Sequence, residues 1–302
     1  MTKFSRVCAS GVVGALILSS QAIADTKLTL RGGYGTSFSD YPYAYDNFDQ
    51  SVIESDYGSG FYGHIALTDD AMFGSLGGEI SFTYNRLTDD DDYDDGDRCS
   101  TFDVISLSHS LCMNGAETEN TTRFGQFRIM ATHEYPDQGV QVLGGVGVLD
   151  FSSKSDGMMF YPGESSDQHR SNDFTGIGLL LGARKSFQLR GQTSLQIEGI
   201  AGVYSGNRSL KINDEWVGNI GELAINDQQT VYSLDLSANV SVPAERIVSG
   251  GMFEFGVAYT RLFNVMDTSN YNPDTLPVVG NPGSVDDDVD ALSVFFGLQI
   301  PI

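Results

Sequence analysis

Apolar and polar residues alternate along most of this chain. From Leu234 to Val242 every second residue is apolar, and each residue between is Asp, Ser or Asn. The same period of two recurs from Leu76 to Asn85 and from Phe253 to Thr260. A period of two predicts β-strands with one apolar and one polar face. Beyond residue 24 there is neither a sustained helical period nor a run of 18 apolar residues, so helices are not predicted.

Ten segments follow this pattern, and the connections between them differ in length in a regular way. The predicted strands are 27–37, 58–68, 75–87, 122–135, 139–151, 174–187, 192–205, 230–242, 250–262 and 290–300. The long connections are 38–57, 88–121, 152–173, 206–229 and 263–289, whereas 69–74, 136–138, 188–191 and 243–249 are short. Alternation is weak in 101–111 and 210–225, so the sheet could extend beyond these bounds. The strand number therefore stays open between 8 and 12.

This sorting of loop lengths predicts the fold class. Transmembrane barrels of the bacterial outer membrane combine an even number of strands with short periplasmic turns and long extracellular loops. Closing the sheet pairs the edge strands, which lipid cannot hydrogen-bond. We therefore predict an all-β protein, a transmembrane antiparallel up-and-down β-barrel of about ten strands over 25–302, with both ends on the periplasmic side.

The first segment predicts export. Residues 1–24 contain Lys3 and Arg6, then a short apolar run, then Ala22 and Ala24, the layout of a secretory signal peptide. The apolar run falls short of the about 20 residues of a membrane-spanning helix. We expect export through the Sec pathway and localisation in the bacterial outer membrane.

These features together resemble the bacterial outer-membrane β-barrel superfamily. The opening 30–35, LRGGYG, and the closing 295–298, FFGL, look most like the pore-forming major outer-membrane proteins of the Legionella type. The alternation of Val294 to Ile302 resembles the C-terminal signal read by the barrel-assembly machinery, although that signal usually ends in an aromatic residue and this chain ends in Ile302. The resemblance implies that machinery, outer-membrane lipid and lipopolysaccharide as partners.

The polar face of the predicted strands carries charges of both signs that would line the lumen. A ten-stranded barrel lies between the side-chain-filled eight-stranded case and an aqueous porin channel. Opposite charges in such an interior are expected to pair. Both a barrel plugged by ion pairs and a narrow cation-preferring pore fit this pattern. The lumen-lining charged residues that we predict are Arg31, His64, Glu79, Arg128, Glu134, Arg184, Glu198, Asp235 and Glu254.

Two features of the second long connection suggest further sites. Cys99 and Cys112 are separated by twelve residues, and an exported protein meets an oxidising compartment, so we predict a disulfide. The acidic run 89–97 has the oxygen ligands that Ca²⁺ or Mg²⁺ prefers. A loosely bound divalent cation and a solvated loop with diffuse counterions are the two interpretations. The candidate ligands are Asp91, Asp92, Asp94 and Asp95, and we expect no other cofactor.

Net charge and motif content exclude several functions. The formal net charge of -23 opposes binding to nucleic acid, since phosphates require Lys and Arg. Ten strands is also the size of the omptin proteases, whose chemistry uses an Asp-His couple opposite an Asp pair. Asp167 with His169, and Asp90 with Asp92, have compatible spacings, but they lie in connections rather than at rigid strand ends. We therefore expect no enzyme.

Two functions remain open. The first is a porin-like, pore-forming protein for small solutes. The second is a non-conducting barrel whose long acidic loops serve adhesion, host contact or envelope structure. Continuous pairing of Arg31, Arg128 and Arg184 with carboxylates would block flow, whereas segregated charge would leave a path. The oligomeric state does not follow from the sequence.

Overall fold

The computed structural model describes residues 26–46, 52–74, 76–93, 98–101, 111–113, 115–161, 164–216, 219–265 and 288–302. These ranges contain fourteen β-strands. The strands are β1 Lys27–Thr36, β2 Asp40–Asp46, β3 Val52–Asp56, β4 Ser59–Phe73, β5 Leu76–Tyr93, β6 Arg98–Thr101, β7 Leu111–Met113, β8 Gly115–Tyr135, β9 Val140–Tyr161, β10 Glu164–Gln188, β11 Ser194–Trp216, β12 Asn219–Pro243, β13 Met252–Phe263 and β14 Val289–Pro301. Within the described ranges no helix is long and apolar enough to cross a membrane, a finding that does not bear on membrane-crossing strands.

Ten of these strands form a closed antiparallel barrel. The ring runs β1, β14, β13, β12, β11, β10, β9, β8, β5, β4 and back to β1. A row of paired residues followed around the ring from Arg31 reaches β12 at Gln229 in one direction and at Ser241 in the other. The stagger of the barrel is the offset between these two residues, which is twelve residues. The predicted fold class, an all-β antiparallel up-and-down barrel of ten strands, is confirmed.

The alternating pattern divides the sheet into an outer and an inner face. Ile177, Leu179 and Leu181 are 70%, 72% and 67% exposed on the outside, whereas the residues between them face the interior. The outward face of β10 continues through Ala183 and Lys185 to Phe187, and the Lys185 ammonium lies 5.3 Å from the centre of the Phe187 ring. The ten residue steps from Ile177 to Phe187, at about 3.3 Å each and a strand tilt of about 40°, correspond to about 25 Å along the barrel axis. This height is that of the lipid-facing band of outer-membrane barrels.

The short connections lie at one end of the barrel and turn through glycine. Each contains a glycine with φ between 58° and 78°, a conformation in which a Cβ would clash with the backbone. These glycines are Gly74, Gly139, Gly191 and Gly250. The predicted short turns are thereby confirmed.

The predicted connections 152–173 and 206–229 are wrong, because most of their residues continue the barrel. β9 extends to Tyr161 and β10 begins at Glu164, while β11 and β12 together leave only residues 217 and 218 between them. Above the apolar belt both faces of a strand contact polar surroundings, so the alternation that marks a strand disappears from the sequence. The predicted extension of the sheet in 210–225 is confirmed.

A second sheet of four short strands, in the order β3, β2, β6, β7, accompanies the barrel. Its backbone register places Cys99 directly opposite Cys112. The disulfide stays a prediction, because the structure does not describe these side chains. The predicted signal peptide 1–24 and the backbone of Asp94 and Asp95 lie outside the described residues, as do the side chains of Asp91 and Asp92.

Candidate functional site: the barrel lumen

All nine predicted lumen residues occupy inward positions of their strands. Arg184 lies at the centre of one group, where its Nη2 is 2.5 Å from an oxygen of Glu79 and its Nε donates a hydrogen bond to Glu198 at 2.6 Å. Gln141 accepts a further bond from Arg184 at 3.2 Å. A single guanidinium therefore forms ion pairs with two carboxylates, on strands β5 and β11.

The ion pair of Arg128 with Asp235 crosses the lumen. Arg128 lies on β8 and Asp235 on β12, and three strands of the ten-membered ring separate them, so the pair spans nearly the full diameter. Arg128 Nη2 lies 2.6 Å from Asp235 Oδ2, and the two side chains are 6% and 12% exposed. Thr260 donates to the other oxygen of Asp235 at 2.7 Å. This ion pair therefore spans the interior of the barrel from one wall to the other.

Arg31 and Glu254 form a third ion pair across an intervening strand. Arg31 Nε donates to Glu254 at 2.7 Å although β14 lies between their strands. The residue of β14 in the same row is Gly297, and a Cβ there would lie 2.8 Å from Arg31 Cγ. The glycine thus leaves the space through which the two side chains meet. Each of the three predicted lumen arginines is therefore paired with a carboxylate.

The other two predicted residues have different surroundings. His64 Nδ1 lies 2.9 Å from Thr83 Oγ1, within hydrogen-bond distance. Glu134 is exposed and lines a cavity of about 450 Å³ with Lys27, Asp70 and Glu79. This cavity occupies the end of the lumen nearest the short turns. It ends at the level of the ion pairs.

A layer of buried apolar side chains fills the lumen on the opposite, extracellular side of the ion pairs. On β8, Phe124 precedes Arg128 by four residues toward the long connections, and on β12 Val231 precedes Asp235 by four. The same order holds for Phe174 and Arg184 on β10. Phe124, Phe174 and Val231 are at most 1% exposed. The further members of this apolar layer are Tyr57, Leu87, Leu149, Phe151, Tyr204, Leu262, Val265, Val289 and Ala291.

Glycines on the inner face make room for the rings of this layer. A Cβ added to Gly178 would lie 2.6 Å from Tyr204 Cδ1, and one added to Gly202 would lie 2.8 Å from Tyr204 Cε2. Gly176 stands in the same relation to the ring of Phe174, at 2.6 Å. Among the described residues, aromatic rings therefore lie over inner-face glycines between the apolar layer and the ion pairs.

The apolar layer was not predicted from the sequence. The polar face was taken to line the lumen throughout, because alternation within the belt is regular. The signal in the sequence was the odd or even position of apolar residues along a strand. Phe124 and Met130 are on the same face of their strand as Arg128, and Tyr204 is on the same face as Glu198. Inward glycines in the neighbouring positions of β10 and β11 were the second signal.

The other candidate residues lie away from the lumen. His169 Nδ1 lies 2.7 Å from Asp156, and both side chains are 60% exposed on the outer face. Asp90 also points outward, since inward positions of β5 are odd-numbered. The Asp-His and Asp-Asp spacings therefore do not converge on the interior. Among the described residues no cluster of three or more His, Cys, Asp or Glu side chains has the arrangement of a metal site.

Comparison with known proteins gives similarities of overall structure only. No family model matches the sequence, and no curated protein matches it. The outer membrane protease OmpT from Escherichia coli is 12% identical, with 95% of this chain and 99% of that chain covered and a TM-score of 0.49.

Two further solved structures are similar at lower scores. A major outer membrane protein from Thermus thermophilus is 13% identical, with coverage of 91% and 98% and a TM-score of 0.32. A Pseudomonas aeruginosa FadL homologue is 8% identical, with coverage of 93% and 92% and a TM-score of 0.25. At these identities and scores none of them assigns a function to this chain. The resemblance to Legionella-type proteins stays a prediction.

Proposed function

We propose that this protein is an integral bacterial outer-membrane β-barrel that does not conduct, and that its extracellular face serves surface contact or envelope structure. The observation that carries the proposal is the filling of the lumen by side chains of the described residues. Two successive layers occupy it: the ion pairs, of which Arg128 with Asp235 spans the diameter, and the apolar layer around Phe124 and Tyr204.

The placement in the outer membrane rests on the exterior of the barrel. Its apolar belt is about 25 Å high, and the closed ring leaves no strand edge to be satisfied by lipid. Insertion by the barrel-assembly machinery and contact with lipopolysaccharide follow from this placement. The proposal includes no catalytic step, and divalent cations at the acidic run 89–97 stay a prediction.

The extracellular role rests on the length of the strands. A β-strand crosses a bilayer in about 9 to 11 residues, whereas β10 and β12 each have 25. More than half of each strand therefore stands outside the membrane as continuous sheet. Such a rigid extension presents its ends well above the lipid, as a contact surface requires.

Conductance in planar bilayers tests the proposal. We expect the refolded, heat-modifiable protein to give no discrete conductance steps, because the ion pairs and the apolar layer occupy the lumen. The comparison variant combines Phe124→Ala, Tyr204→Ala and Arg128→Ala, which removes one side of both layers, and it should conduct. Discrete steps from the unmodified protein, with an ion selectivity that shifts in Glu79→Ala, would establish the porin-like alternative instead.

A further inference from the structure

The outer face of the barrel carries a notch lined by charged side chains. It has a volume of about 270 Å³ and lies on strands β5, β8 and β9. Three cations line it, Arg86, Arg123 and Lys154, which we call the outer cationic cluster. All three side chains are exposed and point away from the lumen.

The arrangement of these cations is unfavourable without a ligand. Arg86 and Arg123 are direct cross-strand partners, and like charges directly opposite each other destabilise a sheet. Lys154 is diagonal to Arg123, whose own partner on β9 is Ser152. Within the described part of the chain no ion pair or hydrogen bond satisfies the charged groups of the three cations.

The nearby carboxylates form no ion pair with the two arginines among the described residues. Glu119 and Asp156 are cross-strand partners at the extracellular end of the notch, four residues, or about 13 Å along the strand, beyond Arg123. Asp156 is closer to Lys154, two residues away on the same face of β9. Asp156 is engaged by His169 at 2.7 Å. Asp150, on the membrane side, accepts a hydrogen bond from Thr175 at 3.0 Å.

The height of the cluster matches that of lipid headgroups. Two residues toward the membrane from Arg86 lies Tyr84, paired with Gly125, and two further lies Phe82, paired with Phe127. Phe82 is 43% exposed and belongs to the apolar belt. The two arginines therefore stand just above the belt, with an apolar strip on β5 and β8 below them.

We propose that the outer cationic cluster binds the phosphate of an outer-leaflet lipid, with the acyl chains on the apolar strip at Phe82 and Phe127. Arg binds phosphate through charge-assisted hydrogen bonds that two guanidinium groups on facing strands can share. The Phe82 ring lies over Gly125, where its Cε2 would be 3.4 Å from a Cβ, so aromatic surface lies directly beneath the cations. The apolar strip directly beneath selects a lipid over free phosphate. The inference rests on the proposed membrane placement and is independent of whether the lumen conducts.

The test is native mass spectrometry of the full chain, folded in detergent micelles, with dioleoylphosphatidate as the probe. Dioleoylglycerol, which lacks the phosphate, and inorganic phosphate are the comparison ligands. We expect saturable binding of phosphatidate, little binding of diacylglycerol, and no competition by inorganic phosphate at equal concentration. Arg86→Gln and Arg123→Gln should each weaken phosphatidate binding at least about tenfold, since each removes a charged hydrogen-bond donor.

The matched control is Arg190→Gln with Arg246→Gln, which removes two exposed cations from the short turns at the other end. It should bind phosphatidate like the unmodified protein. Without lipid, Arg123→Gln should keep or raise the melting temperature, because it relieves the repulsion with Arg86. Equal binding of phosphatidate by the cluster variants and the control variant would overturn the site. Equal binding of diacylglycerol, or displacement by inorganic phosphate, would overturn the phosphorylated lipid as its occupant.

Discussion

Removing one partner of the ion pair across the lumen should lower the free energy of unfolding by several kcal/mol. Arg128 and Asp235 are 6% and 12% exposed, and breaking a buried pair from one side typically costs about 3 to 5 kcal/mol. In Asp235→Ala the guanidinium keeps Gln126 as a side-chain partner but has no carboxylate that compensates its charge among the described side chains bonded to it. In Arg128→Ala the carboxylate keeps the hydrogen bond from Thr260. We therefore expect Asp235→Ala to cost about 4 kcal/mol and Arg128→Ala about 3 kcal/mol.

Replacing both partners separates the interaction from the burial. Arg128→Met with Asp235→Leu removes both charges and keeps apolar volume, and such replacements are often neutral or stabilising. The double-mutant cycle with alanine should then give a coupling free energy of about 2 kcal/mol. The assay is urea unfolding of the protein in lipid vesicles, followed by intrinsic fluorescence.

The comparison pair is Arg261 with Asp288 near the extracellular rim, whose side chains are 33% and 16% exposed. Arg261→Ala should cost about 1 kcal/mol or less, because water screens a partly exposed pair. If Arg128→Ala costs no more than Arg261→Ala, the lumen is hydrated. That result would refute both the buried pair and the closed lumen.

Three further predictions concern packing, pH and covalent structure. Gly178→Ala should lower the free energy of unfolding by about 1 to 3 kcal/mol, because its Cβ would meet an aromatic ring and a backbone oxygen at 2.6 Å; Gly144→Ala, with no heavy atom within 4 Å, is the matched control and should not be destabilising. Hydrogen bonds from a threonine hydroxyl and a backbone N–H hold the pKa of Asp69, at the periplasmic rim, below its usual value. Its contribution to stability is therefore present above the unfolded pKa of about 3.9 and lost as pH falls through the folded pKa. The stability advantage of the unmodified protein over Asp69→Asn should shrink in acid denaturation below about pH 4 and stay constant above about pH 5. An advantage that grows in acid would contradict this assignment. Mass spectrometry after alkylation without reductant should find Cys99 and Cys112 unmodified, and modification of both would exclude the disulfide.

The sequence by itself determined the class of the fold and the faces of its strands. Period-two alternation is a local property, since successive side chains point to opposite sides of a strand. It therefore placed Glu79, Arg128 and Asp235 inward without any knowledge of their neighbours. The four glycine turns were equally local, because a short connection between antiparallel strands needs a residue that tolerates positive φ.

Only the tertiary structure decided which inward residues meet and whether they close the lumen. Arg128 and Asp235 are separated by three strands, and their contact depends on the stagger of twelve residues, which no single segment contains. The apolar layer likewise depends on inward rings from different strands reaching one height. Strand ends above the membrane were also hidden, because their buried inward side chains are polar, as Asn120, Ser155 and Asn172 are, which removes the alternation that marks a strand in sequence.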